Sequence, residues 1–334
     1  MARSYSPPPS LPVRGADGIV VSGTDGSPSW LPPVRRLPLL SLVFLCAFGS
    51  SCEERGGGAQ GGVATIEIVD AAGRTVRLAA PARRVVSLVP GATDVVLALG
   101  EAERLVARTR YDVDGRIAHL PSLGDALMPS VEWITAQRPE LVIAWPDRQS
   151  RTVVTRLEEL GIPVYAWRAE SLAAARTGIA QVGALLGVAA RADSMVAALD
   201  STLDAVQASV RALPRRSVLY IIGLDPPQAA GPGTFVHEMI AVAGGVNAFA
   251  DAGALWPTIS VEEALRRQPD VVILSTASPD PERLREQLRV QPGWRNMHAV
   301  REGRLYTVDA SVMNRPGASL GRAVAILART IHGR

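Results

Sequence analysis

The sequence contains no lysine, and only two of its 334 residues are cysteines. All 35 basic side chains are therefore arginines, and against 32 acidic residues they leave a net charge of +3. A net charge this close to zero gives no indication of the concentrated basic face that nucleic-acid binding requires, so no nucleic-acid partner is predicted. Aromatic residues make up only 4% of the chain, which makes the position of each ring informative.

Apolar material is plentiful, because hydrophobic residues make up 47% of the chain and charged residues only 20%. This composition is typical of folded proteins and excludes disorder as the dominant state. The length allows about two domains. We therefore expect sizeable hydrophobic cores.

The first 51 residues are predicted to be a leader rather than part of the fold. Residues 1–33 are rich in proline, serine and glycine and show no apolar periodicity. Arg35 and Arg36 then precede a twelve-residue apolar run, 37–48, and three small residues, 49–51. This order is that of a secretory signal, and the run is too short to span a bilayer. Export is therefore predicted.

Cys52 follows these small residues and precedes a polar, glycine-rich segment. The arrangement resembles the lipobox of bacterial lipoproteins, which implies a lipidated Cys52 and a flexible tether over residues 52–63. Ordinary cleavage without lipidation is the alternative. Because Cys46 lies in the signal, no intramolecular disulfide is expected in the mature chain.

Beyond the tether, strands alternate with helices. The predicted strands of the first half are 64–69, 75–78, 85–88, 105–107, 141–145 and 164–167, and its predicted helices are 94–99, 131–137 and 152–160. The second half repeats the alternation, with strands 218–222, 271–274 and 305–308 and helices 235–242, 261–268, 281–288 and 319–331. Such alternation favours parallel sheets covered by helices.

Between these halves, residues 172–213 show two helical stretches with no strand between them. The second, 190–212, would be about 34 Å long. We therefore predict an α/β protein of two Rossmann-like lobes with central parallel sheets, joined by a single long helix. The predicted boundaries are 64–188 for the N-terminal lobe, 189–213 for the connecting helix and 214–334 for the C-terminal lobe.

A short pattern occurs once in each half. It occupies residues 130–143 and again 260–273. Each copy begins with Ser-Val-Glu and, after six further residues, continues with proline, an acidic residue and three aliphatic residues. Two copies indicate two related lobes, and ligands of such sheets bind at the carboxyl ends of the strands. Glu132 and Glu262 suit the first turns of helices. One carboxylate on each lobe would equally suit a symmetric partner that carries arginines.

Several apparent catalytic motifs lack their partners. Gly317–Gly321 matches a nucleophile elbow, but no strand precedes it and no carboxylate follows Ser319. His237-Glu238 begins a zinc motif whose second histidine is replaced by Ala241. The four histidines, 119, 237, 298 and 332, have no ligand-like spacing. No enzyme activity, metal site or cofactor is therefore predicted, and an exported α/β hydrolase-like enzyme ranks as the lower alternative.

Three aromatic residues lie at the ends of predicted elements. Trp145 follows a strand, Tyr111 lies in a loop after a strand, and Trp256 lies between two helices. Rigid rings on a cleft rim would cover the faces of a large flat ligand; the alternative is that they are core residues under loops. Arg315, before the last helix, is either a hydrogen-bond donor to ligand amides or carboxylates or a solvated surface residue.

Five segments together resemble the substrate-binding proteins of ABC importers for cobalamin, haem and iron-siderophores. These are residues 70–74, 84–100, 121–125, 138–145 and 256–275. The resemblance implies a class III periplasmic binding protein fold, in which one long helix bridges the lobes. It also implies a monomer that works with an ABC permease and ATPase, either in the periplasm or anchored to a membrane as a lipoprotein.

Within this family the chain is most similar to the cobalamin-binding member. That similarity implies a corrinoid carried as transported ligand, not as cofactor. The ligand contacts it implies are Pro90, Tyr111, Trp145, Trp256 and Arg315, with Pro227 in the loop 223–231. It further implies that Glu132 and Glu262 dock on permease arginines. The alternative is a haem or ferric-siderophore ligand, for which Tyr111 would serve as an iron ligand.

Overall fold

The computed structural model describes residues 65–125, 129–147 and 150–333. The predictions for the leader, for Cys52 and for the tether all lie outside these residues. In the described part of the chain, no helix combines the length and the apolar character needed to cross a membrane.

The N-terminal lobe contains a hairpin and a four-stranded sheet. Its elements are β1 (Ile66–Val69), β2 (Thr75–Leu78), β3 (Val85–Ser87), α1 (Pro90–Ala98), β4 (Leu105–Ala107), α2 (Val131–Ala136), β5 (Leu141–Ala144), α3 (Arg151–Glu159), β6 (Val164–Ala166) and α4 (Leu172–Leu185). β1 and β2 pair antiparallel, and the other strands form a parallel sheet in the order β4-β3-β5-β6. The predicted parallel sheet is confirmed.

After α5 (Ala189–Val210), the C-terminal lobe contains a second sheet. Its elements are β7 (Arg216–Leu224), β8 (Pro227–Ala229), α6 (Phe235–Val242), β9 (Gly245–Asn247), α7 (Val261–Arg267), β10 (Val271–Thr276), α8 (Pro281–Val290), α9 (His298–Arg301), β11 (Leu305–Asp309), α10 (Ala310–Met313) and α11 (Leu320–His332). The order is β11-β10-β7-β8, with β9 also on β7. All pairs are parallel except β7–β8.

The structure corrects the predicted start of α1 and adds elements that the sequence analysis missed. α1 begins at Pro90 rather than at residue 94. Proline suits the first turn of a helix, where its missing N–H has no intrahelical partner in any case. β8, β9, α9 and α10 are three or four residues long, too short for a hydrophobic period to identify them.

α5 is the longest helix of the described chain, with 22 residues, or about 33 Å. It packs against α4 of the N-terminal lobe and against α11 and α6 of the C-terminal lobe. Gly183, in α4, permits the close approach of α5, because a Cβ at position 183 would lie 2.3 Å from the Cβ of Ala192 in α5. A single stiff helix thus contacts both lobes.

The repeated pattern folds the same way in both lobes. Ser130 and Ser260 cap α2 and α7, with their hydroxyls accepting backbone N–H bonds of 3.2 Å and 3.0 Å. Arg138 and Gln268, at equivalent positions before a proline, have φ of 47° and 42°. Left-handed backbone is uncommon outside glycine, so its presence in both copies indicates a shared local design.

The backbones of the two lobes meet at a pair of glycines. A Cβ built on Gly317, before α11, would lie 2.5 Å from the carbonyl oxygen of Gly91, in α1. A Cβ on Gly91 would lie 3.1 Å from the carbonyl oxygen of Pro316. Only residues without a side chain allow this approach, and it fixes how closely the lobes come together beside the candidate site.

Candidate functional site

A cavity of about 300 Å³ lies between the lobes, with a wall drawn equally from both. The N-terminal lobe contributes Val89, Pro90, Gly91, Tyr111, Trp145 and Trp167. The C-terminal lobe contributes Ala277, Ala310, Ser311, Asn314, Arg315 and Pro316. All twelve follow the carboxyl ends of parallel strands, the edge at which open α/β sheets bind ligands.

Four of the six predicted ligand contacts, Pro90, Tyr111, Trp145 and Arg315, are brought together in this wall. Trp256 is not part of it; its ring packs edge-on against Phe235, with centroids 6.2 Å apart. Pro227 is not part of it either, because it begins β8 and its carbonyl accepts a 2.9 Å bond from the N–H of Ile259. Among the described residues, the cavity wall therefore has two indoles from the N-terminal lobe, Trp145 and Trp167, and none from the C-terminal lobe.

Trp145 is placed by the strand that precedes it. All four residues of β5 are buried, and Trp145 is the first residue beyond them, half-buried at the cavity. Its carbonyl oxygen accepts a 2.5 Å bond from the hydroxyl of Ser150, and the N–H of Ser150 donates to the Asp147 carboxylate at 2.6 Å. This turn holds the indole at the edge of the sheet.

Tyr111 lies in a loop tied by side chains. The Asp112 carboxylate accepts bonds from the N–H and the hydroxyl of Thr109, at 2.7 Å and 2.8 Å. The Tyr111 hydroxyl accepts a 2.7 Å bond from the guanidinium of Arg110, which also lies 4.9 Å from the ring centroid. The hydrogen bond to Tyr111 raises the pKa of Arg110, helped by the charge of Asp125. The phenol thus lies beside a fixed positive charge.

Arg315 bridges the two lobes instead of facing solvent. Its Nη2 donates to the carbonyl oxygen of Tyr111 at 2.5 Å, and its Nη1 lies 3.4 Å from both carboxylate oxygens of Asp94, in α1. Burial raises the pKa of Asp94, while the charge of Arg315 opposes that rise. The guanidinium is therefore already oriented across the cavity wall.

Eight of the twelve wall residues were not predicted from the sequence, and Trp167 and Asn314 are among them. Trp167 is almost wholly buried, and within the described chain its indole N–H has no hydrogen-bond partner. The Oδ1 of Asn314 accepts bonds from Tyr220 at 2.9 Å and Ser275 at 3.0 Å, which fixes its amide. Trp167 follows β6 as Trp145 follows β5, so the same position after a strand was the available signal.

Glu132 and Glu262 are both exposed, in the first turns of α2 and α7 and outside the cavity wall. The hydroxyl of Ser130 donates to Glu132 at 2.6 Å and lowers the pKa of its carboxyl group. The next positions differ, since Trp133 is exposed whereas Glu263 pairs with Arg267 at 3.0 Å. The two copies thus present matching carboxylates beside unlike neighbours.

The other candidate motifs have structural partners. The hydroxyl of Ser319 donates to the carbonyl of Val312 at 3.0 Å, and His332 lies 3.0 Å from the carbonyl of Ala243. His237 lies 3.3 Å from the side-chain amide of Asn247. Among the described residues, no three side chains of the metal-binding types converge.

A family model described as "Periplasmic binding protein" matches residues 85–312, which spans most of the described chain. The "Uncharacterized ABC transporter substrate-binding lipoprotein YvrC" of Bacillus subtilis is 26% identical over 304 residues, covering 88% of this chain and 95% of that protein. The "Cobalamin-binding protein" of Halobacterium salinarum is 30% identical over 275 residues, covering 79% and 73%.

Among solved structures, the "Periplasmic heme-binding protein RhuT" of Roseiflexus sp. RS-1, in its apo form, matches with a TM-score of 0.65 and 28% identity. The match covers 75% of this chain and 98% of that protein. The chain is therefore similar in fold to a protein named for heme and similar in sequence to one named for cobalamin.

Proposed function

Since the chain belongs to the periplasmic binding protein family, we propose that it captures a corrinoid between its lobes and delivers it to the permease of an ABC importer. Substrate-binding proteins of ABC transporters hold a ligand without transforming it, so the site needs shape and donors rather than a nucleophile. The observation that carries the proposal is one cavity that joins Tyr111, Trp145 and Arg315 at the carboxyl ends of both sheets.

The chemistry of the wall suits a broad ring with polar substituents. The indole of Trp145 offers an aromatic face, and the guanidinium N–H groups of Arg315 are donors for carboxamide oxygens. At about 300 Å³ the cavity is smaller than a whole corrinoid. We therefore expect one edge of the ring to enter while the remainder stays at the mouth.

One observation favours a haem ligand as the second candidate. Tyr111 lies in the cavity wall, and the oxygen of a tyrosine side chain can bind haem iron. The same residue would then act as an iron ligand. A ferric siderophore is the other iron-containing ligand in this second candidate function.

A calorimetric titration of the purified protein with cyanocobalamin tests the corrinoid proposal. We expect saturable binding of one ligand, and the change Trp145→Ala should weaken it about tenfold by removing an aromatic face. Trp133→Ala is the matched control, because that indole is exposed outside the cavity wall and should leave affinity unchanged. No heat with cyanocobalamin, but a Soret shift with haem that Tyr111→Phe removes, would reverse the order of the two ligands.

We further propose that the mature protein is an exported monomer held at a membrane by a lipid on Cys52. The support is the signal-like order of residues 35–52 and the similarity to a relative named a lipoprotein. In cells of the source organism, Cys52→Ser should move the protein from the membrane fraction to the soluble extracytoplasmic fraction. Equal membrane association of both proteins would exclude the anchor.

A further inference from the structure

Three arginines on or near the cavity wall are paired with carboxylates. Three ion pairs lie in this region: Arg315 with Asp94 at 3.4 Å, Arg110 with Asp125 at 2.7 Å, and Arg116 with Asp114 at 2.8 Å. Hydrogen bonds and the charge of Arg116 lower the pKa of Asp114 to about 2, so this carboxylate is charged at neutral pH. No net positive charge results from these pairs.

Asp112 adds further negative charge near Asp94. It is buried and accepts two hydrogen bonds from Thr109, and its charge raises the pKa of Asp94. Among the described residues of the cavity wall, Arg315 is the only charged one, and it faces the Asp94 carboxylate directly.

We propose that Asp94 determines the charge of the ligand that this cleft accepts, by neutralising Arg315 so that carboxamide-bearing rings are favoured over carboxylate-bearing ones. This inference rests on the proposed function and narrows it to a class of ligand. A carboxamide oxygen accepts an N–H of Arg315 while Asp94 stays in place. A ligand carboxylate has to share the guanidinium with Asp94, and two like charges in a partly buried site repel each other.

Asp94 is therefore a specificity residue that acts through Arg315. It is not in the cavity wall itself, so its effect on the ligand is electrostatic rather than steric. The change Asp94→Asn keeps the shape and an acceptor for Arg315 but removes the charge. Asp94→Glu keeps the charge and serves as the rescue variant.

The experiment measures the dissociation constants of two corrinoids that have the same ring. Dicyanocobinamide carries carboxamides where dicyanocobyrinic acid carries carboxylates, so the ratio of their dissociation constants measures charge preference. The unaltered protein should favour dicyanocobinamide, and Asp94→Asn should shrink this ratio about tenfold, while Asp94→Glu restores it. Asp251→Asn is the control, because Asp251 is an exposed carboxylate that pairs with Arg267 away from the cavity.

The outcomes separate this inference from the proposed function. Corrinoid binding with the same ratio in Asp94→Asn and in the unaltered protein overturns the inference and leaves the function standing. Should neither corrinoid bind while haem does, the corrinoid proposal fails. The inference is then decided by the ratio of the dissociation constants of haem and its dimethyl ester, because the free propionate carboxylates are present in haem and esterified in the other.

Discussion

Reversing both repeated glutamates, Glu132→Arg together with Glu262→Arg, should abolish ligand uptake in cells while the purified protein binds its ligand within about twofold of normal. Both carboxylates are exposed, both occupy the first turn of equivalent helices, and neither belongs to the cavity wall. A permease with two equivalent subunits would present matching arginines to them. Reversal replaces two attractions by two repulsions, and each single reversal should give an intermediate loss.

The matched control is Glu103→Arg together with Glu282→Arg. These are also exposed glutamates, one in each lobe, but they lie outside the repeated pattern. Uptake should continue in this control. Normal uptake by the Glu132–Glu262 double variant would exclude docking through these residues, and a loss of ligand affinity would mean that their role is structural.

A side chain at Gly317 should destabilise the protein and weaken its ligand site together. The Cβ of Gly317→Val would lie 2.5 Å from the carbonyl oxygen of Gly91, so the backbones of the two lobes must move apart. Overpacking of this kind costs about 2 kcal/mol, enough to lower the unfolding midpoint by a few degrees. The same displacement moves Pro316 and Arg315 in the cavity wall, so affinity should fall as well.

Thermal unfolding followed by circular dichroism, with a ligand titration at 25 °C, measures both effects. Gly253→Val is the control, since no atom lies within 4 Å of a Cβ at that position. Gly317→Ala should be the milder of the two Gly317 variants. An unchanged midpoint and affinity in Gly317→Val would show that the lobes do not depend on this contact.

The pattern of the sequence was enough to predict most elements that shape the site. Buried runs such as Leu141–Ala144 and Val271–Thr276 are followed by turns, and their spacing identifies parallel strands. From that, the carboxyl ends of the strands were the expected place for Trp145 and Tyr111, and the cavity is there. Trp167 follows β6 in the same way, but the sequence analysis did not single it out.

Arg315 marks where such patterns stop being informative. The sequence alone did not distinguish between two roles for Arg315, a hydrogen-bond donor to the ligand and a solvated surface residue. The fold places Arg315 against Asp94, 221 positions earlier in the chain. Trp256 was expected at the same cleft but packs on Phe235 outside the cavity wall. Both outcomes depend on how the two lobes meet, which no local period encodes.

By itself the sequence determined the α/β alternation, the repeat shared by the two lobes, the long helix between them and the edge of each sheet that carries the site. Those features are local, because hydrophobic period, caps and turns act over a few residues. Only the tertiary structure decided which side chains share one cavity and which charges neutralise one another. Those depend on close packing between distant segments, such as the approach of Gly91 to Gly317, where a few tenths of an ångström decide contact or clash.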